Sequence, residues 1–95
     1  MLAKFVQLKK TNNFPPRFLL EEIFVNSEHV VLLREDFMAK RWLEDNLLPE
    51  DLDKRQQFTK LFIGQGSNAQ CITVIGSPSN VSDKVTHENK QLLRG

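Results

Sequence analysis

Five basic residues and one tryptophan have the side chains best suited to binding an anionic ligand that also carries a flat ring. Each flanks an apolar stretch or belongs to the basic–aromatic group around the tryptophan: Arg17, Arg34, Lys40, Arg41, Trp42 and Lys60. Guanidinium groups bind phosphate and stack on flat rings, so the set predicts a site for a phosphate-bearing ligand or a partner. The alternative is structural, because basic residues at strand edges discourage edge-to-edge aggregation. Trp42 suits a core and an interface equally.

A glycine-containing segment, Gly64–Ala69, has the pattern G-x-G-x-x-A and is similar to the fingerprint that binds a dinucleotide pyrophosphate. In that fingerprint the glycines lead into a helix, whose N-terminus binds the phosphates. Here residues 70–76 alternate and are β-branched, which favours a hairpin turn with positive φ at Gly66 or Asn68. The turn still offers a candidate anion-binding loop formed by consecutive backbone amides. Its residues are Gly64, Gly66, Ser67 and Asn68.

The sequence offers little support for catalysis or for a bound metal. Neither His29 nor His87 has a second histidine or a cysteine at metal-ligand spacing. Cys71 lies in a predicted strand without an identifiable activating partner. Ser67 and Ser77 lie in glycine-flanked turns, not in a strand-to-helix nucleophile elbow. We therefore expect a non-enzymatic protein with no metal and no cofactor.

Composition is typical of a small globular domain. The 95 residues fit one domain (1–95), with 40% hydrophobic and 26% charged side chains. Thirteen basic residues against twelve acidic ones give a net charge of +1, which disfavours a dedicated nucleic-acid binder. A single cysteine permits no internal disulfide. The N-terminus does not resemble a signal peptide, and no apolar run is long enough for a membrane span, so we expect a cytoplasmic protein.

Hydrophobic periodicity predicts an α+β fold with about five short, mostly antiparallel strands. A mid-chain insert (about 36–57) and a C-terminal helix (about 78–93) complete it. The predicted strands are 3–9, 22–26, 29–35, 58–64 and 70–76. The second and third are expected to be joined by a tight turn, and the last two to form a hairpin. Asp36 is expected to cap a short helix, and Pro49 to begin another of one or two turns.

Three stretches resemble the small flagellar FlbD-like proteins and similar small phage proteins. They are "KFVQL" at 4–8, "IFVNSEHVVLLRE" at 23–35, and "TKLFI" with "ITVIGSPSNVSDKV" between 59 and 85. The resemblance implies a strand, a strand pair, a hairpin and a helix opened by Ser77-Pro78. The insert departs from that pattern. The resemblance carries no catalytic residues and implies a phage or mobile-element accessory protein.

These observations predict a homo-oligomeric binding protein, because a small sheet leaves edges and apolar surface exposed. Its expected partner is a host protein or a small anionic, nucleotide-like ligand, without a membrane. We expect the specific contacts to lie in residues 34–55. The first alternative is a nucleic-acid-binding regulator that uses the same basic residues, and the second is a flagellar interaction protein.

Overall fold

The computed structural model describes residues 2–64 and 66–94, and of residues 68 and 87–94 it describes the backbone alone. Within these ranges the chain forms a five-stranded antiparallel sheet and two helices, so the predicted α+β class is confirmed. In chain order the elements are β1 (Leu2–Lys10), β2 (Phe18–Asn26), β3 (Val30–Glu35), α1 (Phe37–Glu44), β4 (Phe58–Ile63), β5 (Gln70–Ile75) and α2 (Pro78–Arg94). One-turn 3-10 helices occupy Ser27–His29 and Gly66–Asn68.

The strand order in the sheet is β2-β1-β5-β4-β3. The expectation that residues 22–26 and 29–35 form a strand pair is wrong, because β2 pairs with β1 and β3 pairs with β4. The connection between β2 and β3 is short, as expected. It is the 3-10 turn Ser27–His29, and it does not pair the two strands with each other. The Asn26 side chain accepts a hydrogen bond from the Glu28 amide at 3.1 Å and caps this turn. The turn carries the chain to the opposite edge of the sheet.

The sheet must curl to allow this connection. In a flat sheet, four strand spacings of about 4.8 Å would separate β2 from β3 by about 19 Å. The four Cα–Cα steps from Asn26 to Val30 reach at most about 15 Å, at about 3.8 Å each. The two edges therefore approach each other at this corner, as in a small, incompletely closed barrel. Burial agrees, since Val25 of β2 and Leu61 of β4 belong to one apolar cluster.

The concave, inner face of the sheet carries the main core. Its buried residues alternate along the strands, and α2 covers them with two residues one helical turn apart, Val81 and Val85. The buried set is Ala3, Phe5, Val25, Leu61, Val74, Val81 and Val85. α2 begins as expected from the sequence: the Ser77 hydroxyl accepts a hydrogen bond from the Asn80 amide at 3.2 Å.

A second apolar cluster lies on the outer face of the same sheet. Alternation places Leu8 and Phe58 on this face, and the insert covers them with Ala39 and Leu43 of α1 and with Leu48. The predicted helix cap is confirmed: Asp36 accepts from the Ala39 amide at 3.0 Å. The predicted helix beginning at Pro49 is wrong, because residues 49–57 form only turns and bends. Proline and three acidic residues favour a helix start, but this segment follows the surface of the sheet.

The hairpin predicted between residues 58–64 and 70–76 is confirmed. β4 and β5 pair from Phe58↔Ile75 to Ile63↔Gln70. Gly66 has the expected positive φ, +62°. The 3-10 turn that starts there leads directly into β5 and not into an α-helix, so the dinucleotide arrangement does not occur.

Candidate functional site

Two of the predicted basic residues meet on the outer face of the sheet. Arg34 on β3 and Lys60 on β4 are direct cross-strand partners. Phe62 lies two residues beyond Lys60 and therefore on the same face, opposite Cys71 on β5. The carbon at the centre of the Arg34 guanidinium is 5.2 Å from the centroid of the Phe62 ring. We call Arg34, Lys60, Phe62 and Cys71 the basic face.

The electrostatics of the basic face are unbalanced. Like charges directly opposite each other across two strands are destabilising. Among the described residues, neither Arg34 nor Lys60 forms an ion pair with a carboxylate, whereas Lys4 and Lys9 pair with Glu22 and Glu21. The face therefore presents two positive charges and an aromatic ring to solvent, an arrangement that suits an anion joined to a flat ring.

The carboxylate that follows β3 is already engaged. Asp36 is buried, and its second oxygen accepts a hydrogen bond from the Thr73 hydroxyl at 2.6 Å. Its first oxygen caps α1. Glu35 lies opposite Thr59 and so belongs to the inner face. The hydrogen bond from Thr73 holds the start of the insert against β5. It lies next to Lys60, whose cross-strand partner is Thr73.

Trp42 packs within the outer-face cluster. Its ring centroid is 4.8 Å from that of Phe18, with the two planes tilted by 41°. The Lys10 ammonium lies over the Trp42 ring at 5.9 Å from the centroid. Trp42 is half-buried, and it packs with Leu52 and Ile75 against the buried part of the cluster. It joins α1 to the β1–β2 ribbon.

The two predicted basic residues of α1, Lys40 and Arg41, lie in different surroundings. The Lys40 ammonium donates to the backbone carbonyls of Lys54 and Gln56, at 2.9 and 3.0 Å. It thereby holds the irregular part of the insert to α1, so a Lys40 variant would test folding as much as binding. Arg41 is exposed on the same helix.

The remaining candidates lie away from the basic face. Arg17 is exposed where the β1–β2 loop ends, and its backbone amide donates to the Thr11 hydroxyl at 3.0 Å. In the glycine loop, Gly66 and Ser67 are exposed in the 3-10 turn, and the Gly64 amide already donates to the His29 carbonyl at 2.9 Å. The side chain of Asn68 lies outside the described residues.

Sequence reasoning missed Phe62 and the pairing of Arg34 with Lys60. Alternation alone puts Lys60 and Phe62 on one face, which is a usable signal. The contact with Arg34 additionally requires the register of β3 on β4, and the sequence suggested a different neighbour for β3.

One exposed ion pair changes the protonation behaviour of its members. Arg55 donates to Asp53 through its side chain and its backbone amide. The side-chain hydrogen bond, followed by the backbone one, lowers the pKa of Asp53 from 3.8 to about 2, and the same pair raises the pKa of Arg55. The ion pair between Asp53 and Arg55 therefore contributes to stability above pH 3.8, and this contribution is lost as the pH falls towards 2. The pair is solvent-exposed, so salt screens it.

Two further features, a metal-binding cluster and a membrane-spanning helix, are absent from the part of the chain that the structure describes. No group of three or more histidine, cysteine or acidic side chains is arranged to hold a metal ion within residues 2–64 and 66–94. In the same part of the chain, no helix combines the length and apolar character needed to cross a membrane.

Comparison with known proteins identifies no relative of this chain. No protein-family model, no curated protein and no solved structure matches the chain.

Proposed function

We propose that the chain is a non-enzymatic binding protein that holds a small anionic, nucleotide-like ligand on the basic face. The observation that supports this proposal is the cross-strand pair Arg34 and Lys60 beside Phe62. An anion placed between the two cations would relieve their repulsion, and a flat base would stack on the exposed guanidinium–ring pair. A cytoplasmic location belongs to the proposal, because the only cysteine is free and exposed.

A single-stranded nucleic acid is the second candidate ligand. It would use the same cations and ring, with further phosphates following the surface towards Lys10, which lies over Trp42. The net charge of +1 favours the small ligand, because polymer binding depends on many phosphate contacts. The phage accessory role and the flagellar alternative stay predictions that rest on the resemblance in sequence.

The proposal is tested by titrating adenosine monophosphate and a short oligothymidylate into the protein at low and high salt, by calorimetry. We expect the double variant Arg34→Ala/Lys60→Ala to bind the mononucleotide about 10- to 100-fold more weakly, as expected for the loss of two charged hydrogen bonds. Its free energy of unfolding should stay within about 0.5 kcal/mol of the wild-type value, or rise, because two opposed like charges are removed.

The matched control is Lys4→Ala/Arg55→Ala, which removes one lysine and one arginine from exposed ion pairs elsewhere. It should bind the mononucleotide normally. Equal affinities for the double variant and the wild type would refute the site. Tighter binding of the oligonucleotide, with a steep loss at high salt, would favour the nucleic-acid alternative.

Self-association is the second part of the proposal. Val31 and Leu32 of edge strand β3 are 53% and 51% exposed, and Phe37 and Met38 at the start of α1 are also exposed. The register of β3 shifts between Val30 and Leu32, and such a bulge opposes strand addition. We therefore propose that copies associate through these side chains, which would otherwise leave an apolar patch in water.

Light scattering at micromolar concentration should give a mass of at least two chains for the wild type. Leu32→Lys should shift the protein to a monomer, because burying an unpaired ammonium in an apolar interface is costly. The control is Phe24→Lys, since Phe24 is 63% exposed on the other edge strand, and this variant should remain associated. A monomeric wild type, or an associated Leu32→Lys variant, would contradict this interface.

A further inference from the structure

A cavity of about 420 Å³ opens on the inner face of the sheet, on the side opposite the basic face. Residues of β1 and β2, His29 of the 3-10 turn, and the adjoining ends of β4 and β5 line it. Its apolar floor includes three isoleucines, Ile23, Ile63 and Ile72. All three are partly buried and pack against the buried residues of the inner-face core. We call this space the mouth cavity.

The polar lining of the mouth cavity is rich in hydrogen-bond donors. Gln7 and Lys9 from β1 and Gln70 from β5 contribute to it, together with His29. In the described part of the chain, the amides of Gln7 and Gln70 have no side-chain hydrogen bond to another protein group. The Lys9 ammonium is 3.5 Å from Glu21, and both side chains are more than half exposed, so this ion pair is weak. Lys9 lines the cavity and Glu21 does not.

We propose that the mouth cavity binds a small monocarboxylate with an apolar body. The apolar body would cover the three isoleucines, which gains free energy in proportion to the apolar area removed from water. The carboxylate would accept hydrogen bonds from Lys9 and from the glutamine amides. A concave site that combines apolar surface with convergent polar groups is typical of small-molecule binding, and barrel mouths are common places for it. This site is independent of the basic face.

Three probes with the same tail separate the contribution of the head group: octanoate, octanol and octylamine. We expect octanoate to bind roughly tenfold more tightly than octanol, and octylamine to bind more weakly than both, because it meets the Lys9 ammonium. Octanoate should shift the side-chain amide resonances of Gln7 and Gln70. The fluorescence of Trp42 should stay constant, because this residue lies on the outer face.

Two variants test the lining. Lys9→Gln should weaken octanoate binding roughly three- to tenfold and leave octanol binding unchanged. Lys4→Gln is the matched control, because Lys4 also lies on β1 in an ion pair with a glutamate of β2 but does not line the cavity. Ile72→Trp should fill the space and abolish binding of all three probes.

The comparison of head groups needs only the wild-type protein and so stands even if Ile72→Trp fails to fold. Equal affinity for the three probes, unchanged glutamine resonances, or equal effects of the Lys9 and Lys4 variants would overturn the proposal.

Discussion

Phe58→Ala is expected to lower the free energy of unfolding by about 3–5 kcal/mol, the range for truncating a buried aromatic residue. Phe58 is 0% exposed and lies on the outer face of β4, where the insert covers it with Ala39, Leu43 and Leu48. Its removal leaves a cavity between sheet and insert, and rigid neighbours fill such a cavity only partly. Chemical denaturation followed by circular dichroism measures the loss.

Phe62→Ala is the matched control, since Phe62 lies on the same strand and the same face but is only half-buried. Its loss should stay below about 1.5 kcal/mol, because truncating a residue that is already partly exposed removes less buried area. Amide hydrogen exchange should speed up in α1 more than in α2 for Phe58→Ala, since α2 packs on the inner face. Equal losses for the two variants would contradict the assignment of Phe58 to a second core.

Asp36→Ala is expected to cost about 2–4 kcal/mol, because one buried carboxylate makes two connections. It caps α1 through the Ala39 amide at 3.0 Å and accepts from the Thr73 hydroxyl at 2.6 Å, with only 4% of the residue exposed. The substitution leaves a helix amide and a hydroxyl without their acceptor. Urea denaturation gives the change in the free energy of unfolding.

A double-mutant cycle with Thr73→Val isolates the hydrogen bond between the two side chains. We expect a coupling energy of about 1–3 kcal/mol, as for hydrogen bonds to charged groups. Asp36→Asn is the conservative variant, because its amide oxygen can still accept from the Ala39 amide, so it should lose less than Asp36→Ala. A coupling energy near zero would show that Asp36 stabilises the fold through the helix cap alone.

The type of each element could be predicted from sequence more readily than its partner. Alternation on both sides of Gly64–Ala69 identified β4 and β5, and local turn chemistry fixed their register. The polar break at residues 26–28 and the resemblance to FlbD-like proteins predicted that 22–26 and 29–35 form a pair joined by a tight turn, as strands consecutive in the chain usually do. The Asn26 cap instead begins a 3-10 turn that directs β3 to the far edge. A three-residue connection permits both outcomes, and burial in the shared inner core favours the second.

In the candidate site, too, residue types could be predicted from sequence more readily than contacts. Arg34 and Lys60 were suspected from their residue type, but their contact depends on the β3–β4 register, which the long insert between these strands hides. Lys40 was suspected for the same reason, yet its ammonium serves backbone carbonyls of an irregular segment. Such carbonyls need partners when they are held near the surface of a core, and no sequence pattern specifies which side chain provides them.

The narrow junction between β1 and β5 has a consequence for folding kinetics. Only two residue pairs, Gln7↔Val74 and Leu8↔Thr73, form its described register, whereas β1 pairs with β2 along its whole length. The β1–β2 ribbon and the β4–β5 hairpin have low contact order and can form early, because their loops are short to close. Docking of these two units across the junction closes a much longer loop, because Gln7 and Val74 lie far apart in the chain. We therefore expect docking at this junction to limit the folding rate. Interactions there, including the one that Asp36 makes with Thr73, should influence this rate more than those near the distal end of the ribbon.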